Sequence, residues 1–194
     1  QAITEWVQEG LIHRVQGKGT FVSSPKIERS FDSLPSFSAE IRQKGYNPRY
    51  QILEFAYEEP TEKIRRLLKV PPSAGTWKLM RTILADEEPI AYVTSYLRSD
   101  VYHDLDKHQM SESLYETLRR IYNKVPVAAE DFYQVEKANP SLSELLAVPK
   151  GSPVIYSERV ASLDNGIPVE YVESYVRSDR FILKISITGA VKEP

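Results

Sequence analysis

An internal repeat constrains the fold of this chain more than any other feature. The matching stretches are Leu67–Pro71 with Leu145–Pro149, Arg81 with Arg159, and Pro89–Asp100 with Pro168–Asp179. Eight of the twelve positions in the last pair are identical. Because two copies are too few for a solenoid, we predict one pseudo-symmetric domain in which two helix–hairpin units share an antiparallel sheet. A cleft between such related halves is a natural ligand site.

Hydrophobic periodicity predicts the elements of this domain. Helical spacing with capping residues and glycine or proline stops predicts helices at Ala2–Leu11, Ser36–Gly45 with Ser38 as its cap, Thr61–Lys69, Ser111–Tyr122 and Ser141–Leu146. Alternating or β-rich runs predict strands at Leu11–Gln16, Thr20–Ser23, Tyr50–Tyr57, Trp77–Ala85, Pro89–Arg98 and Val127–Glu136, and a second long hairpin over Val154–Arg177. The pattern indicates the α+β class, a mostly antiparallel sheet with flanking helices.

Composition excludes several classes of protein. The chain has 194 residues, 41% hydrophobic and 27% charged, as expected for one globular domain with a short additional module. Since it has no cysteine, it forms neither disulfides nor thiolate metal sites, which agrees with a reducing cytoplasm. No apolar run reaches the length of a membrane helix, so we expect no membrane partner. The chain begins at Gln1 inside a helical pattern, and we expect it to be a fragment.

A glycine-flanked lysine is the one basic feature near the start of the chain. The formal net charge of the whole chain is −2, so any contact with DNA has to come from a local patch. Gly17, Lys18 and Gly19 join the first two predicted strands, with His13 and Arg14 close by in sequence. The glycines allow the backbone to approach a partner closely. On these residues alone, a solvated hairpin with an incidental lysine is the simpler interpretation.

Arg81 is the first candidate ligand-binding residue, because it lies in the middle of an apolar strand. A buried guanidinium is costly unless an anion pairs with it. It therefore binds the anionic group of a ligand, or forms an internal salt bridge, for instance to Glu170, or lies at an exposed edge. Ser36, Phe37 and Ser38 begin a predicted helix, where free N–H groups favour anions, although N-capping is the commoner role of a serine there.

Glu170 breaks the internal repeat, because its counterpart is Ala91. It either accepts hydrogen bonds from a ligand or faces solvent from the sheet. Tyr133 and Arg177 are weaker candidates for the same site. Tyr133 is also compatible with a core aromatic position, and Arg177 repeats Arg98, which suggests a structural role for both arginines.

Enzymatic and metal-binding patterns are absent from the sequence. The three histidines, His13, His103 and His108, do not have metal-ligand spacing. There is no glycine-rich phosphate loop, nucleophile elbow or cysteine nucleophile. We therefore expect no catalytic residues, no metal and no cofactor.

Taken in order, these motifs resemble a known family over nearly the whole chain. They are Glu9–Arg14, Gln16–Val22, Ser36-Phe37, Gly45, Arg81, Ser113–Tyr115, Leu145–Pro149, Gly151–Val154, Pro168–Glu170 and Arg177–Phe181. The first two resemble the end of the winged helix-turn-helix of GntR-type regulators, so residues 1–25 are predicted to be its remnant. The others resemble the UTRA effector-binding domain of the HutC branch, predicted at residues 26–194.

The resemblance implies a chorismate-lyase-like fold, a homodimer and a repressor that is not an enzyme. A metabolite would shift the placement of two DNA-binding heads on operator DNA. His13, Arg14, Gly17, Lys18 and Gly19 would then belong to a wing that contacts DNA. Because the base-reading helix is almost entirely missing from the chain, we expect little or no operator binding by this chain alone. Two alternatives stay open: a small lyase of the same fold, and a dimerisation module with a vestigial pocket.

The resemblance also implies that Arg81 binds the effector. Sugar-phosphate-binding members of the family carry a second arginine two residues later and a glutamate on the returning strand. Here those positions are Ile83 and Val93. The expected ligand is a small anion, and its nature stays open between a sugar phosphate, another phosphate, a carboxylate and an aromatic acid.

Overall fold

A computed structural model describes residues 12–15, 19–22, 26–30, 36–105, 110 and 112–186 of the chain. The strands in these ranges are β1 (Ile12–Val15), β2 (Gly19–Val22), β3 (Ile27–Ser30), β4 (Pro48–Glu58), β5 (Thr76–Ala85), β6 (Glu88–Arg98), β7 (Ala128–Lys137), β8 (Pro153–Ser162), β9 (Pro168–Arg177) and β10 (Phe181–Lys184). The helices are α1 (Phe37–Gln43), α2 (Glu62–Leu68), α3 (Leu114–Tyr122) and α4 (Pro140–Leu146). The predicted α+β class is confirmed.

One six-stranded antiparallel sheet, in the order β4-β5-β6-β9-β8-β7, forms the centre of the molecule. Its order follows directly from the internal repeat. Each repeat unit contributes a strand, a helix and a hairpin, namely β4-α2-β5-β6 and β7-α4-β8-β9. The units meet where β6 pairs with β9, and this pairing joins them into one continuous sheet. The predicted pseudo-symmetric domain with a shared sheet is therefore confirmed.

The repeated helices α2 and α4 begin and end in the same way. Thr61 and Asn139 occupy the N-cap positions, and their side chains accept hydrogen bonds from the N–H groups of the residues three positions on. These bonds satisfy donors that the first helical turn leaves free. Lys69 and Ala147 end the helices in the left-handed conformation, each followed within two residues by a proline. The stops predicted from the sequence are correct.

A parallel two-stranded sheet of β3 and β10 was not predicted. Ile27 of β3 and Phe181 of β10 are buried in one apolar cluster with Ile41 of α1 and Ile83 of β5. The cluster packs both short strands against the end of α1 and one side of the main sheet. The two strands lie near opposite ends of the described chain, so no turn between them marks their pairing in the sequence.

The predicted N-terminal hairpin is confirmed in the part of the chain that the structure describes. β1 and β2 pair in antiparallel register, with Val15 opposite Gly19. The predicted helix Ala2–Leu11 lies outside the described residues, as do Gly17 and Lys18 at the tip. Gly19 has φ of +115°, a conformation that side chains rarely adopt, and glycine meets this requirement.

Candidate effector pocket

A pocket lies on one face of the main sheet, and its floor consists of two rows of residues that cross four strands. The first row is Arg81, Val93, Ser174 and Ser157, and the second is Leu79, Ser95, Val172 and Arg159. All of these except Leu79 line the pocket. The repeat places Arg81 and Arg159 at opposite corners of the floor, because each lies on the first strand of its hairpin.

Two helix starts and one edge strand form the walls. α1 contributes Phe37 and Ser38 with the preceding Ser36, α3 contributes Leu114 and Tyr115 with the preceding Ser113, and β4 contributes Tyr50. Arg42 of α1 and Glu116 of α3 form an ion pair at 2.8 Å that joins the two helices outside the pocket. The space between these walls, counting its open mouth, is about 590 Å³.

Arg81 presents a guanidinium to this pocket without a carboxylate partner among the described residues. Its side chain donates to the carbonyls of Met110 and Glu112 at 3.4 and 3.1 Å. Its Cζ lies 4.9 Å from the centre of the Tyr50 ring. Only 5% of the residue is exposed, and burial lowers the pKa of the guanidinium, with Tyr50 and Glu170 acting in the opposite direction. A buried cation that lacks a carboxylate partner favours the binding of an anionic ligand.

The cross-strand neighbour explains why the two repeated arginines differ. Arg159 lies opposite Asp131 of β7 and forms a bidentate ion pair, with N···O distances of 2.6 and 2.7 Å. Burial alone would lower the pKa of Arg159, but the hydrogen bonds and charge of Asp131 raise it overall. Arg81 lies opposite Ile52 of β4, which offers no charge. The same scaffold therefore pairs one guanidinium with a carboxylate and leaves the other without such a partner among the described residues.

Glu170 places a carboxyl group near Arg159. The residue is 2% exposed and lies in the sheet row next to the Arg159 row. Tyr115 donates a hydrogen bond to its Oε2 at 2.7 Å, and Ser95 also hydrogen-bonds to the carboxyl. Burial raises the pKa of Glu170, whereas these hydrogen bonds and the charges of Arg159 and Arg81 lower it in part.

The raised pKa of Glu170 predicts a pH-dependent stability. The folded state favours the protonated carboxyl, so the stabilisation from this group is present at low pH and is lost as pH rises through the raised pKa. Glu170→Gln cannot ionise, and we expect its free energy of unfolding to improve relative to wild type between pH 4.5 and pH 7. Urea unfolding across this range measures the difference. Glu87→Gln, at an exposed position, is the matched control. If the free energy of unfolding changes with pH in the same way for wild type and Glu170→Gln, the prediction is wrong.

Comparison with known proteins identifies the family. The UTRA domain family matches residues 43–182. The chain belongs to the UTRA family. The transcriptional repressor NagR of Bacillus subtilis is 30% identical over 182 residues, which cover 93% of this chain and 74% of NagR. The "Probable fructoselysine utilization operon transcriptional repressor" of Escherichia coli is 24% identical over 186 residues, covering 95% of this chain and 76% of that protein.

Solved structures show the same fold. The crystal structure of PhnF from Mycobacterium smegmatis superposes with a TM-score of 0.81, covering 98% of this chain and 84% of PhnF at 20% identity. A regulator from Streptomyces coelicolor superposes with a TM-score of 0.62, covering 71% of this chain and 91% of that protein at 25% identity. NagR and the fructoselysine operon repressor, which match most of this UTRA chain, are transcription repressors, so the protein is a regulator and not a lyase.

The structure brings five of the predicted effector-binding residues of the UTRA domain into this one pocket. They are Arg81, Ser36, Phe37, Ser38 and Glu170. The predicted capping role of Ser38 is wrong, because Ser36 occupies the N-cap position and its side chain makes no capping hydrogen bond. Ser38 lies inside α1, where its hydroxyl hydrogen-bonds to that of Tyr50. Gly45 follows the end of this helix with φ of +82°, as predicted.

Two predicted residues lie elsewhere in the UTRA domain. Tyr133 of β7 donates to Asp131 at 3.1 Å and does not line the pocket, although it lies close enough to Arg29 and Arg159 for their charges to lower its pKa in part. Arg177 forms ion pairs with Glu88 at 2.9 Å and Asp179 at 2.6 Å, away from the pocket lining. We therefore give Arg177 a structural role in place of effector contact.

Sequence reasoning missed several pocket residues, which are Arg29, Tyr50, Ser113, Tyr115 and Arg159. The repeat carried a signal for Arg159, since it matches Arg81, and Ser113 and Tyr115 belong to the motif that carried the family resemblance. Nothing local marks Arg29, because its partners lie on other elements, α1 and β10. Among the described residues, no cluster of His, Asp and Glu is arranged to hold a metal ion. No helix in the same part of the chain is long and apolar enough to cross a bilayer.

Proposed function

We propose that this chain is the effector-sensing part of a metabolite-responsive repressor of the HutC branch, and that its effector is a small anion held by Arg81. The observation that carries the proposal is the buried guanidinium of Arg81, which lines the pocket without a described carboxylate partner. Charge-assisted, bidentate hydrogen bonds to a carboxylate or phosphate would satisfy it. Hydroxyl groups of Ser36 and Ser113 lie in the same lining and make no capping bonds.

The rest of the lining limits the chemistry of the effector. Glu170 also lines the pocket and is suited to accept hydrogen bonds from hydroxyl or amine groups of the ligand. Ile83, Val93 and Val172 form an apolar strip in the pocket. A compact molecule with an anionic group, an apolar surface and hydrogen-bond donors fits this arrangement. Sugar phosphates and carboxylates both meet the description.

The N-terminal hairpin is proposed to be the wing of a DNA-binding domain comprising residues 1–25, followed by the effector domain at residues 26–194. His13 and Arg14 lie on β1, and Gly19 begins β2. Gly17 and Lys18 lie outside the described residues. In the full-length protein, these five residues would contact operator DNA, because basic groups on a narrow glycine-flanked hairpin can reach phosphates or a groove.

The regulatory step is proposed to be a change in how two copies of the protein span an operator. A homodimer through the UTRA domain would fix the spacing of two DNA-binding heads. An effector acts on that spacing only through different affinities for the two arrangements. A coupling free energy of about 1–3 kcal/mol would change operator affinity by about 5–150-fold.

Thermal-shift screening tests the proposed effector site. The panel contains inorganic phosphate, hexose 6-phosphates, sugar carboxylates, aromatic carboxylates and the matching neutral sugars. We expect at least one anion to raise the unfolding temperature and its neutral counterpart to have no effect. An anion at 100 times its Kd stabilises by about 2.7 kcal/mol, which is about 5–10 °C for a domain of this size. If no anion stabilises the protein, the pocket is vestigial and the chain is a dimerisation module.

A further inference from the structure

Arg29 lines the effector pocket but belongs to β3, outside the main sheet. It is 4% exposed, and its Nε and Nη2 donate to the two carboxylate oxygens of Glu40, each at 2.9 Å. Its Cζ lies 4.1 Å from the centre of the Phe37 ring and 5.7 Å from that of Phe181. Glu40 and Phe37 both lie on α1, so the guanidinium attaches β3 firmly to this helix.

A continuous series of contacts connects Arg81 to Arg29. Arg81 lies against the ring of Tyr50, and the Tyr50 hydroxyl hydrogen-bonds to that of Ser38 in α1. The same helix carries Phe37 and Glu40, which hold Arg29. An anion that draws the Arg81 guanidinium away from Tyr50 would change the support of α1. The change would reach β3 through the buried Arg29–Glu40 pair, because that pair is rigid and bidentate.

β3 directly follows the N-terminal hairpin in the chain, so the contact between Arg29 and α1 can affect that hairpin. Four residues separate the end of β2 at Val22 from the start of β3 at Ile27. A connection of this length spans at most about 18 Å, even fully extended. Among the described pocket-lining residues, Arg29 and the N-cap residue Ser36 precede α1, and Arg29 alone of these two lies on a strand. It also lies outside the residues matched by the UTRA family, 43–182.

We propose that Arg29 is the positioning residue that couples occupation of the pocket to β3 and the hairpin before it. The proposal rests on the anion site at Arg81. Binding at Arg81 acts on α1, and the Arg29–Glu40 pair carries the displacement of α1 into β3. In Arg29 variants, the pocket would still bind an anion, but β3 would no longer respond.

Amide hydrogen exchange on the 194-residue chain, with and without inorganic phosphate, tests the coupling. Two variants are compared with wild type. Arg29→Lys keeps the charge but loses the bidentate fork. The double variant Arg29→Met/Glu40→Leu replaces the buried pair with apolar side chains, a change that proteins often tolerate without loss of stability. The control Arg42→Met/Glu116→Leu removes the exposed pair between α1 and α3.

In wild type and in the control, we expect phosphate to change exchange in β3 and the hairpin by about 5-fold or more, together with slower exchange in β5 and β6. In both Arg29 variants, the response in β5 and β6 should stay and the response in β3 and the hairpin should disappear. Exchange is compared at phosphate concentrations that saturate each variant, because Arg29 also lines the pocket and its replacement can change phosphate affinity.

Three results would overturn the proposal. A persisting β3 response in the Arg29 variants would show that coupling uses another route. Loss of phosphate binding in both folded variants would make Arg29 a ligand-binding residue in place of a positioning residue. If phosphate does not change amide exchange in β5 and β6 of wild type, there is no anion site at Arg81, and the coupling proposal, which rests on that site, is wrong as well.

Discussion

Arg81→Met is expected to weaken binding of the effector anion by about 30-fold or more, which corresponds to ~2 kcal/mol or above. Arg81 is the cation in the described pocket that lacks a carboxylate partner, so its removal takes away the main attraction for negative charge. The unliganded protein should keep its stability to within about 1 kcal/mol, because a costly buried charge is lost along with two hydrogen bonds to carbonyls. Titration calorimetry with the strongest anion from the screen measures the loss.

A second substitution tests the same site without removing the arginine. Ile52→Asp places a carboxylate opposite Arg81, in the position that Asp131 has opposite Arg159. The internal ion pair should compete with the ligand and lower its affinity by at least about 10-fold. Arg177→Met is the control, because Arg177 lies outside the pocket lining. If Arg177→Met weakens binding as much as Arg81→Met does, the pocket is assigned to the wrong residues.

Asp131→Asn is expected to give the largest loss of stability, about 3 kcal/mol. The substitution removes the carboxylate that forms a bidentate ion pair with the largely buried guanidinium of Arg159, and an amide at this position cannot replace that pair. For a domain of this size, the unfolding temperature should fall by about 6–12 °C. Inorganic phosphate should restore part of this loss, since Arg159 then presents its charge to the same pocket as Arg81 does. Differential scanning calorimetry with and without phosphate measures both effects.

Asp179→Asn provides the matched control for this prediction. Asp179 also forms a bidentate pair with an arginine, but its side chain is 60% exposed. Its loss should cost less than about 1 kcal/mol, because the Asp179 side chain is solvated and Arg177 keeps its ion pair with Glu88 at 2.9 Å. Equal losses for both variants, or a phosphate effect on Asp131→Asn no greater than on wild type, would contradict the role given to the Asp131–Arg159 pair.

The internal repeat made most of the fold predictable. Matching hairpins imply matching helices, and the caps and stops around Thr61–Lys69 and Ser141–Leu146 follow local rules of helix formation. Ser38 shows where local rules fail. Its sequence context suits an N-cap as well as that of Ser36 does. Only the hydrogen bond between its hydroxyl and that of Tyr50 on β4 decides between the two serines. The pair of β3 and β10 also escaped prediction, since it joins segments from opposite ends of the described chain.

In the functional site, too, some features follow from the sequence and others only from the tertiary structure. The sequence by itself determined that Arg81 and Arg159 are equivalent, because they hold the same place in two copies of one unit. Only the tertiary structure decided that they differ, because their ion pairing depends on the residues opposite them on β4 and β7. Strand pairing is a contact between segments about 30 residues apart, and its register is set by packing of the whole sheet. Arg29 depends still more on the tertiary structure, since its partners come from α1 and β10.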